Sequence, residues 1–118
     1  MRELRDEVLL FGEKGSKPVK ALFDTGSPYG YVKRKIAEEI GMLISKEEDD
    51  VTLPDKRVIK MQPALAVVEI RGCRKPMWTY VTDDGLSDMV LGMVQMEGMG
   101  IKIDTQKGYT VSCELPRA

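Results

Sequence analysis

The chain has 118 residues, enough to bury one hydrophobic core, so we expect a single domain over residues 1–118. Its 18 basic and 19 acidic side chains leave a net charge of −1, which gives no reason to expect nucleic acid or an anionic membrane as a partner. The absence of histidine excludes His-based triads and His-ligated zinc and leaves acid–base chemistry to Asp, Glu, Lys, Tyr or Cys.

The rest of the composition favours a cytoplasmic protein without a membrane partner. No apolar run is long enough to span a bilayer, and the N-terminus lacks the apolar segment and cleavage site of a signal peptide. Cys73 and Cys113 are far apart and follow no metal-ligand spacing, so they are interpreted as reduced thiols. We expect no metal and no cofactor.

Turn signals recur about every ten residues with β-branched or apolar runs between them, which is typical of a mostly β domain. Trp78 is expected to face the core from one of these runs. The expected strands, in chain order, cover residues 8–11, 19–23, 51–53, 58–61, 64–70, 77–81, 89–91, 101–103 and 109–113. Most of them pair off around short turns, which predicts a series of hairpins.

One segment has a helical period instead. Val32, Ile36, Ile40 and Leu43 recur at spacings of four, four and three, with charged residues on the other face. This pattern predicts an amphipathic helix over about residues 31–40, ended by Gly41. A second, short helix is expected over about residues 93–98.

Two stretches of the chain have the same plan of apolar strand, glycine-containing turn, helix, glycine and apolar strand. The first begins with "ALFDTG" at residue 21 and the second with "DMVLG" at residue 88. We interpret them as a weak internal repeat. The first copy carries Asp24 at the end of its strand, and the second has no carboxylate at that place.

Asp24 ends an apolar strand and is followed by Thr25 and Gly26, a placement open to two interpretations. The carboxylate could form an Asx-turn or cap the coming helix. It could instead be a reactive group, because glycine permits a sharp turn and the close approach of a ligand.

The stretch "ALFDTGSPYGYV", the helix and glycine after it, and the distant "MVLGM" resemble the retropepsin-like (retroviral-type) aspartic proteases. The similarity runs from about residue 19 to 111, with the pieces in the order of that family. It implies an all-β fold, the closed β-barrel of the acid proteases with one clear helix.

The resemblance also implies roles for particular residues. Asp24 matches the catalytic aspartate, and Thr25 matches the threonine that bonds its counterpart across a dimer. The other matched residues complete the active-site loop (Gly26, Ser27), form the hydrophobic-hydrophobic-glycine element beneath it (Val90, Leu91, Gly92), form the tip of a short, charged flap (Pro54, Asp55, Lys56, Arg57) or line a substrate pocket (Leu22, Pro28, Tyr29, Tyr31).

The function implied is that of a homodimeric aspartic endopeptidase acting on a polypeptide substrate. Two close carboxylates cannot both ionise easily, so they share a proton, and one acts as base while the other acts as acid. One Asp-Thr-Gly-Ser per chain supplies half of such a site, and a two-fold axis supplies the other half. The alternatives are a retropepsin-like module that dimerises or binds peptides without cleaving them, and an unrelated β-domain in which the motif is chance.

Overall fold

The computed structural model describes residues 3–53 and 55–113, and most of this chain forms β-strands. The helices are α1 (Arg34–Ile40) and α2 (Met93–Gly98). The strands are β1 (Leu4–Gly12), β2 (Gly15–Phe23), β3 (Tyr31–Lys33), β4 (Leu43–Ile44), β5 (Asp49–Thr52), β6 (Val58–Ile70), β7 (Cys73–Thr82), β8 (Met89–Leu91), β9 (Ile101–Asp104) and β10 (Gly108–Val111).

Six strands close into a barrel in the order β1-β2-β8-β3-β7-β6, and β6 pairs back onto β1. Closure leaves no open edge in this ring, which is how a small all-β domain satisfies its backbone hydrogen bonds. The predicted all-β, closed-barrel fold is therefore confirmed. Strands β4 and β5 pair with β6 outside the ring, while β9 and β10 form a separate two-stranded sheet.

Alternating side chains fill the barrel, as the two-residue period of a strand requires. Along β7, for example, Met77, Thr79 and Val81 are buried, whereas Trp78 between them is 63% exposed. The expectation that Trp78 faces the core is therefore wrong, because the core-facing positions of β7 are its two neighbours. Fully buried side chains in the core include Leu10, Val32, Val68, Ile70, Met89 and Leu91.

The first helix is shorter than its sequence period predicted. Residues 31–33 form β3, and helix α1 begins only at Arg34. Val32 is fully buried because it lies in the barrel, opposite Met89 of β8 and Val81 of β7. Val32, a buried position of a strand, precedes the amphipathic helix and made the helical pattern of apolar residues look longer than the helix. The short helix predicted over residues 93–98 and the glycine end of α1 at Gly41 are confirmed.

Strand β6 is one 13-residue strand, where the sequence predicted two strands separated at Gln62–Pro63. Its first residues pair with β5 and its remainder with β7. Of the described residues, none lies in a helix long and apolar enough to cross a membrane.

The two cysteines form a disulfide, which corrects the interpretation of reduced thiols. Cys73 opens β7, Cys113 follows β10, and their sulfurs are bonded across a sequence separation of 40 residues. The bond attaches the β9–β10 sheet to the barrel. The sequence could not indicate it, because a single pair of cysteines at this spacing has no distinguishing pattern.

Reduction of this disulfide should lower the free energy of unfolding by roughly 3–4 kcal/mol, because opening a loop of this size releases that much chain entropy in the unfolded state. Urea unfolding followed by far-UV circular dichroism, with and without reductant, measures the change. The Cys113→Ala variant should match the reduced protein and should not respond to reductant. Two titratable thiols in the unreduced native protein would contradict the prediction.

Candidate active site

The candidate site is the loop of residues 24–30 between β2 and β3. Strand β2 runs parallel to β8, with Leu22 opposite Val90 and Phe23 opposite Leu91. The ladder continues one step further, since the N–H of Asp24 donates to the carbonyl of Leu91 at 3.0 Å. The backbone of Asp24 is therefore fixed by a central strand of the barrel, although its side chain is only half-buried.

The carboxylate of Asp24 is bonded on one side. The N–H of Gly26 donates to Oδ1 at 2.8 Å, and the N–H of Ser27 donates to the Asp24 carbonyl at 3.3 Å. This is an Asx-turn, so the Asx-turn expected as one of the two interpretations of Asp24 is present and occupies Oδ1. Over the described residues Oδ2 has no protein partner, and no buried side-chain polar atom there is unsatisfied, so Oδ2 reaches solvent.

Helix α2 holds the loop from below. The N–H groups of Met93 and Val94 donate to the carbonyls of Ser27 and Pro28 at 2.8 and 2.9 Å. N–H groups in the first turn of a helix have no partner inside the helix, so the loop and α2 satisfy each other. A Cβ on Gly92 would lie 2.5 Å from the Pro28 oxygen, which explains why glycine precedes the helix.

Gly30 closes the loop at a position that only glycine fits. Its φ is 62°, in the left-handed region, and a Cβ there would lie 2.0 Å from the Val90 oxygen. Its N–H donates to the hydroxyl oxygen of Ser27 at 3.1 Å. The loop from Asp24 to Gly30 and the Val90-Leu91-Gly92 element thus lie together, with Thr25 exposed at the outer edge.

The four candidate pocket residues have different surroundings. Leu22 is half-buried on β2, and Pro28 is exposed. The Tyr31 hydroxyl accepts a hydrogen bond from the N–H of Ser87, so Tyr31 is tied to the loop before β8. Tyr29 is 45% exposed and its ring meets that of Tyr80 edge-on at 6.0 Å. Only Tyr29 therefore has an aromatic partner on β7.

The candidate flap is the hairpin of β5 and the start of β6, residues 49–61. At its tip the N–H of Leu53 donates to the Arg57 carbonyl at 2.8 Å, and the Arg57 guanidinium pairs with the Asp55 carboxylate at 2.7 Å. Lys56 adopts a left-handed φ of 71° and is exposed. Pro54, also predicted at the tip, lies outside the described residues.

Gln95 supports the site but was not found from the sequence. Its side chain is buried at 4% exposure, accepts the N–H of Gly92 at 2.9 Å and donates to the carbonyl of Trp78. It therefore fixes the start of α2 to β7. A glutamine three residues after a helix N-cap is the sequence signal that indicates this bond.

Tyr109 is a second unforeseen support. Its ring lies 4.7 Å from that of Phe23, the residue before Asp24, and its hydroxyl donates to the carboxylate of Asp6. The Arg71 guanidinium lies 3.8 Å from the centre of the Tyr109 ring and donates to the Tyr109 carbonyl. Burial, followed by the bond to Asp6, raises the pKa of Tyr109 to about 12. The same bond is the main cause that lowers the pKa of Asp6.

The structure contains no arrangement of three or more His, Cys, Asp or Glu side chains that could hold a metal ion, as far as residues 3–53 and 55–113 are concerned.

Comparison with known proteins identifies the fold. No protein-family profile and no curated protein matches the sequence. Among solved structures, the retroviral protease-like domain of Ddi1 from Leishmania major superposes with a TM-score of 0.67 at 21% identity, over 96% of this chain and 87% of that one. The EIAV protease in complex with the inhibitor HBY-793 gives 0.68 at 13% identity, over 87% of this chain and 93% of that one.

The chain therefore has the fold of the retroviral protease-like domains, as the sequence resemblance predicted. At these identities the likeness concerns the fold alone.

Replacing Tyr109 by Phe should lower the free energy of unfolding at neutral pH by roughly 1.5 kcal/mol, the contribution of a hydrogen bond to a charged group. The Asp6 pKa is lowered on folding, so its contribution exists above pH 3.8 and is lost as the pH falls through the folded-state value. The Tyr109 pKa rises from 10 to about 12, so its contribution exists below pH 10 and is lost as the pH rises towards 12.

Urea unfolding between pH 2 and pH 11 measures the loss of stability at both acidic and alkaline pH. Tyr109→Phe should weaken the pH dependence at both ends without removing it, because the Tyr80 pKa is also raised and the Asp55 pKa is also lowered. Equal pH dependence in wild type and Tyr109→Phe would show that this bond does not link folding to pH.

Proposed function

We propose that the protein is a homodimeric aspartic endopeptidase, which hydrolyses peptide bonds with a water molecule activated between two Asp24 carboxylates, one from each chain. One observation carries the proposal. The Asp24 backbone is held by β8 and its carboxylate by the Gly26 N–H, while Oδ2 reaches solvent, in a chain with the retroviral protease-like fold.

The register of β2 and β8 is the reason for proposing a dimer. Phe23 lies opposite Leu91, so the next residues, Asp24 and Gly92, occupy equivalent places at the ends of two parallel strands. One half of the chain has a carboxylate there and the other half has glycine. A second carboxylate in the same geometry is supplied by a second copy of the chain about a two-fold axis.

Thr25 is suited to a contact with that copy. It lies beside Asp24 and is exposed in the single chain. In the proposed dimer its hydroxyl bonds its counterpart across the axis, which would hold the two Asp24 side chains at a fixed separation. The Gly26 N–H on Oδ1 keeps each carboxylate turned in the same direction.

The proposed reaction follows from the shared proton. The ionised Asp24 accepts a proton from water as the water oxygen bonds to the scissile carbonyl carbon. The protonated Asp24 of the partner subunit donates its proton to the carbonyl oxygen, giving a neutral gem-diol. Proton transfer from the diol through the carboxylates to the amide nitrogen then breaks the C–N bond and releases a carboxylic acid and an amine.

The substrate is proposed to lie between the active-site loop and the candidate flap, with Leu22, Pro28, Tyr29 and Tyr31 as candidate pocket residues. The exposed and charged tip of the flap is the observation that favours the alternative function, a module that binds peptides without cleaving them. The two functions differ in whether bound peptides are cut.

Asp24→Asn should abolish peptide cleavage while leaving the fold and the dimer intact. An amide oxygen still accepts the Gly26 N–H, so the turn is kept, but it cannot act as base or as shared-proton acid. Cleavage of a peptide library, analysed by mass spectrometry between pH 3 and pH 8, measures the loss. Asp104→Asn is the matched control, because this exposed turn residue also keeps its acceptor and should retain full activity.

Mixing wild-type chains with an excess of Asp24→Asn chains should also inhibit the wild-type chains, since a mixed dimer has one carboxylate where two are needed. Cleavage that survives in purified Asp24→Asn would overturn the assignment of Asp24. Peptide binding by the wild type without cleavage at any pH tested would instead establish the binding module.

A further inference from the structure

The candidate flap leaves the barrel at Gln62–Pro63. Residues 58–61 of β6 pair with β5, and the pairing with β7 begins at Gln62. Met61 and Ala64 are the buried residues on either side, a spacing of three that breaks the alternation of a regular strand. Strand β6 therefore changes which face is buried at this junction, and contacts across the junction are candidates for fixing the direction of the flap.

One such contact bridges β6. Tyr80 of β7 lies opposite Pro63, and its hydroxyl donates to Oδ2 of Asp49 at 3.0 Å. Asp49 is the first residue of β5, so the bond joins the barrel to the outgoing strand of the flap. On the same junction, the side chain of Gln62 donates to the carbonyl of Ser45 at 3.0 Å.

The same tyrosine also contacts the active-site loop. The Tyr80 ring meets the Tyr29 ring edge-on at 6.0 Å and an interplanar angle of 90°, a favourable geometry for an aromatic pair. The Tyr29 carbonyl accepts a hydrogen bond from the Thr79 hydroxyl at 3.3 Å, which holds Tyr29 beside β7. A chain of contacts thus runs from the loop through Tyr29 and Tyr80 to Asp49.

We propose that Tyr80 and Asp49 are positioning residues that latch the base of the candidate flap to the active-site loop through Tyr29. The role of the latch in catalysis rests on the proposed function, in which the flap closes over a peptide. The attachment of the flap base to the loop by this bond does not depend on that function. The bond is accessible to water, since Asp49 is exposed and Tyr80 half-buried, so water can hydrogen-bond either partner when the bond opens.

The chemistry of the pair suits a latch that stays formed at neutral pH. Burial, followed by the bond to Asp49, raises the pKa of Tyr80. The phenol therefore keeps its proton and remains the donor, with the carboxylate as acceptor.

The test is hydrogen–deuterium exchange of the full chain, with peptide kinetics as a second readout. Tyr80→Phe keeps the ring against Tyr29 and removes only the hydroxyl. Amides of residues 49–61 should then exchange about fivefold faster, the effect of one ordinary hydrogen bond on an opening equilibrium. Amides of the β1–β2 hairpin should be unchanged. For the active enzyme, KM should rise by a similar factor while kcat changes less than twofold.

Four further variants separate the bond from other effects on the flap. Asp49→Ala should reproduce Tyr80→Phe, and the double variant should add nothing, because both remove one bond. Asp49→Asn keeps an acceptor oxygen and should behave like the wild type. Lys60→Met removes the exposed ion pair with Asp50 within the same hairpin and should change flap exchange less than twofold.

Unchanged exchange at residues 49–61 in Tyr80→Phe would overturn the latch, as would an equal increase across the barrel. The exchange measurement does not require catalysis. If cleavage is absent but flap exchange responds as expected, the latch stands and the proposed peptidase function fails.

Discussion

The parallel pairing of β2 with β8 holds together both the barrel and the candidate site. It joins the β1–β2 hairpin to β8, a strand far along the chain, and so completes the barrel. It also delivers Asp24 to a fixed place, because the last bond of the ladder is the one from the Asp24 N–H to the Leu91 carbonyl. A parallel pair requires a long connection, and here that connection contains α1, the candidate flap and β7.

The contacts of the loop that carries Asp24 depend on that pairing. Because β8 ends beside β2, helix α2 starts directly beneath the loop and its free N–H groups meet the carbonyls of Ser27 and Pro28. Gly92 and Gly30 occur where the two backbones approach too closely for a Cβ. The turn at Gly26 then leaves one carboxylate oxygen towards solvent, which is the chemical basis of the proposed activity.

A second group of contacts supports the candidate site, and it is centred on Tyr109 of β10. Tyr109 packs on Phe23, its hydroxyl is held by Asp6, and Arg71 covers its ring. The disulfide between Cys73 and Cys113 ties the same β9–β10 sheet to the turn that carries Arg71. Phe23, the residue before Asp24, is thus packed against a sheet that lies outside the barrel.

Local patterns in the sequence were sufficient for a mostly β domain, for most strands and for the loop, and the resemblance to the retropepsin-like proteases supplied the closed barrel. The apolar run, the Asp-Thr-Gly-Ser turn and Val90-Leu91-Gly92 carry their own signals. The errors have local causes too: Val32 and Trp78 were misassigned because a strand position can mimic a helical period or fall one step out of alternation.

Contacts between distant segments could not be predicted. The disulfide, the Tyr109–Asp6 bond and the Tyr80–Asp49 bond join residues that no local pattern relates, and they depend on strand register. Register is set by the whole barrel, since a slip of one residue exchanges the inner and outer faces of a strand. The support of the candidate site is therefore a property of the closed fold, whereas the candidate catalytic residue, Asp24, belongs to the motif.

If each chain holds half of the proposed site, activity per chain must depend on protein concentration. Peptide cleavage per chain should be measured over a dilution series whose association state is determined in parallel by sedimentation velocity. Activity per chain should fall together with the fraction of dimer. An active monomer, with activity per chain constant through the dissociation range, would contradict it.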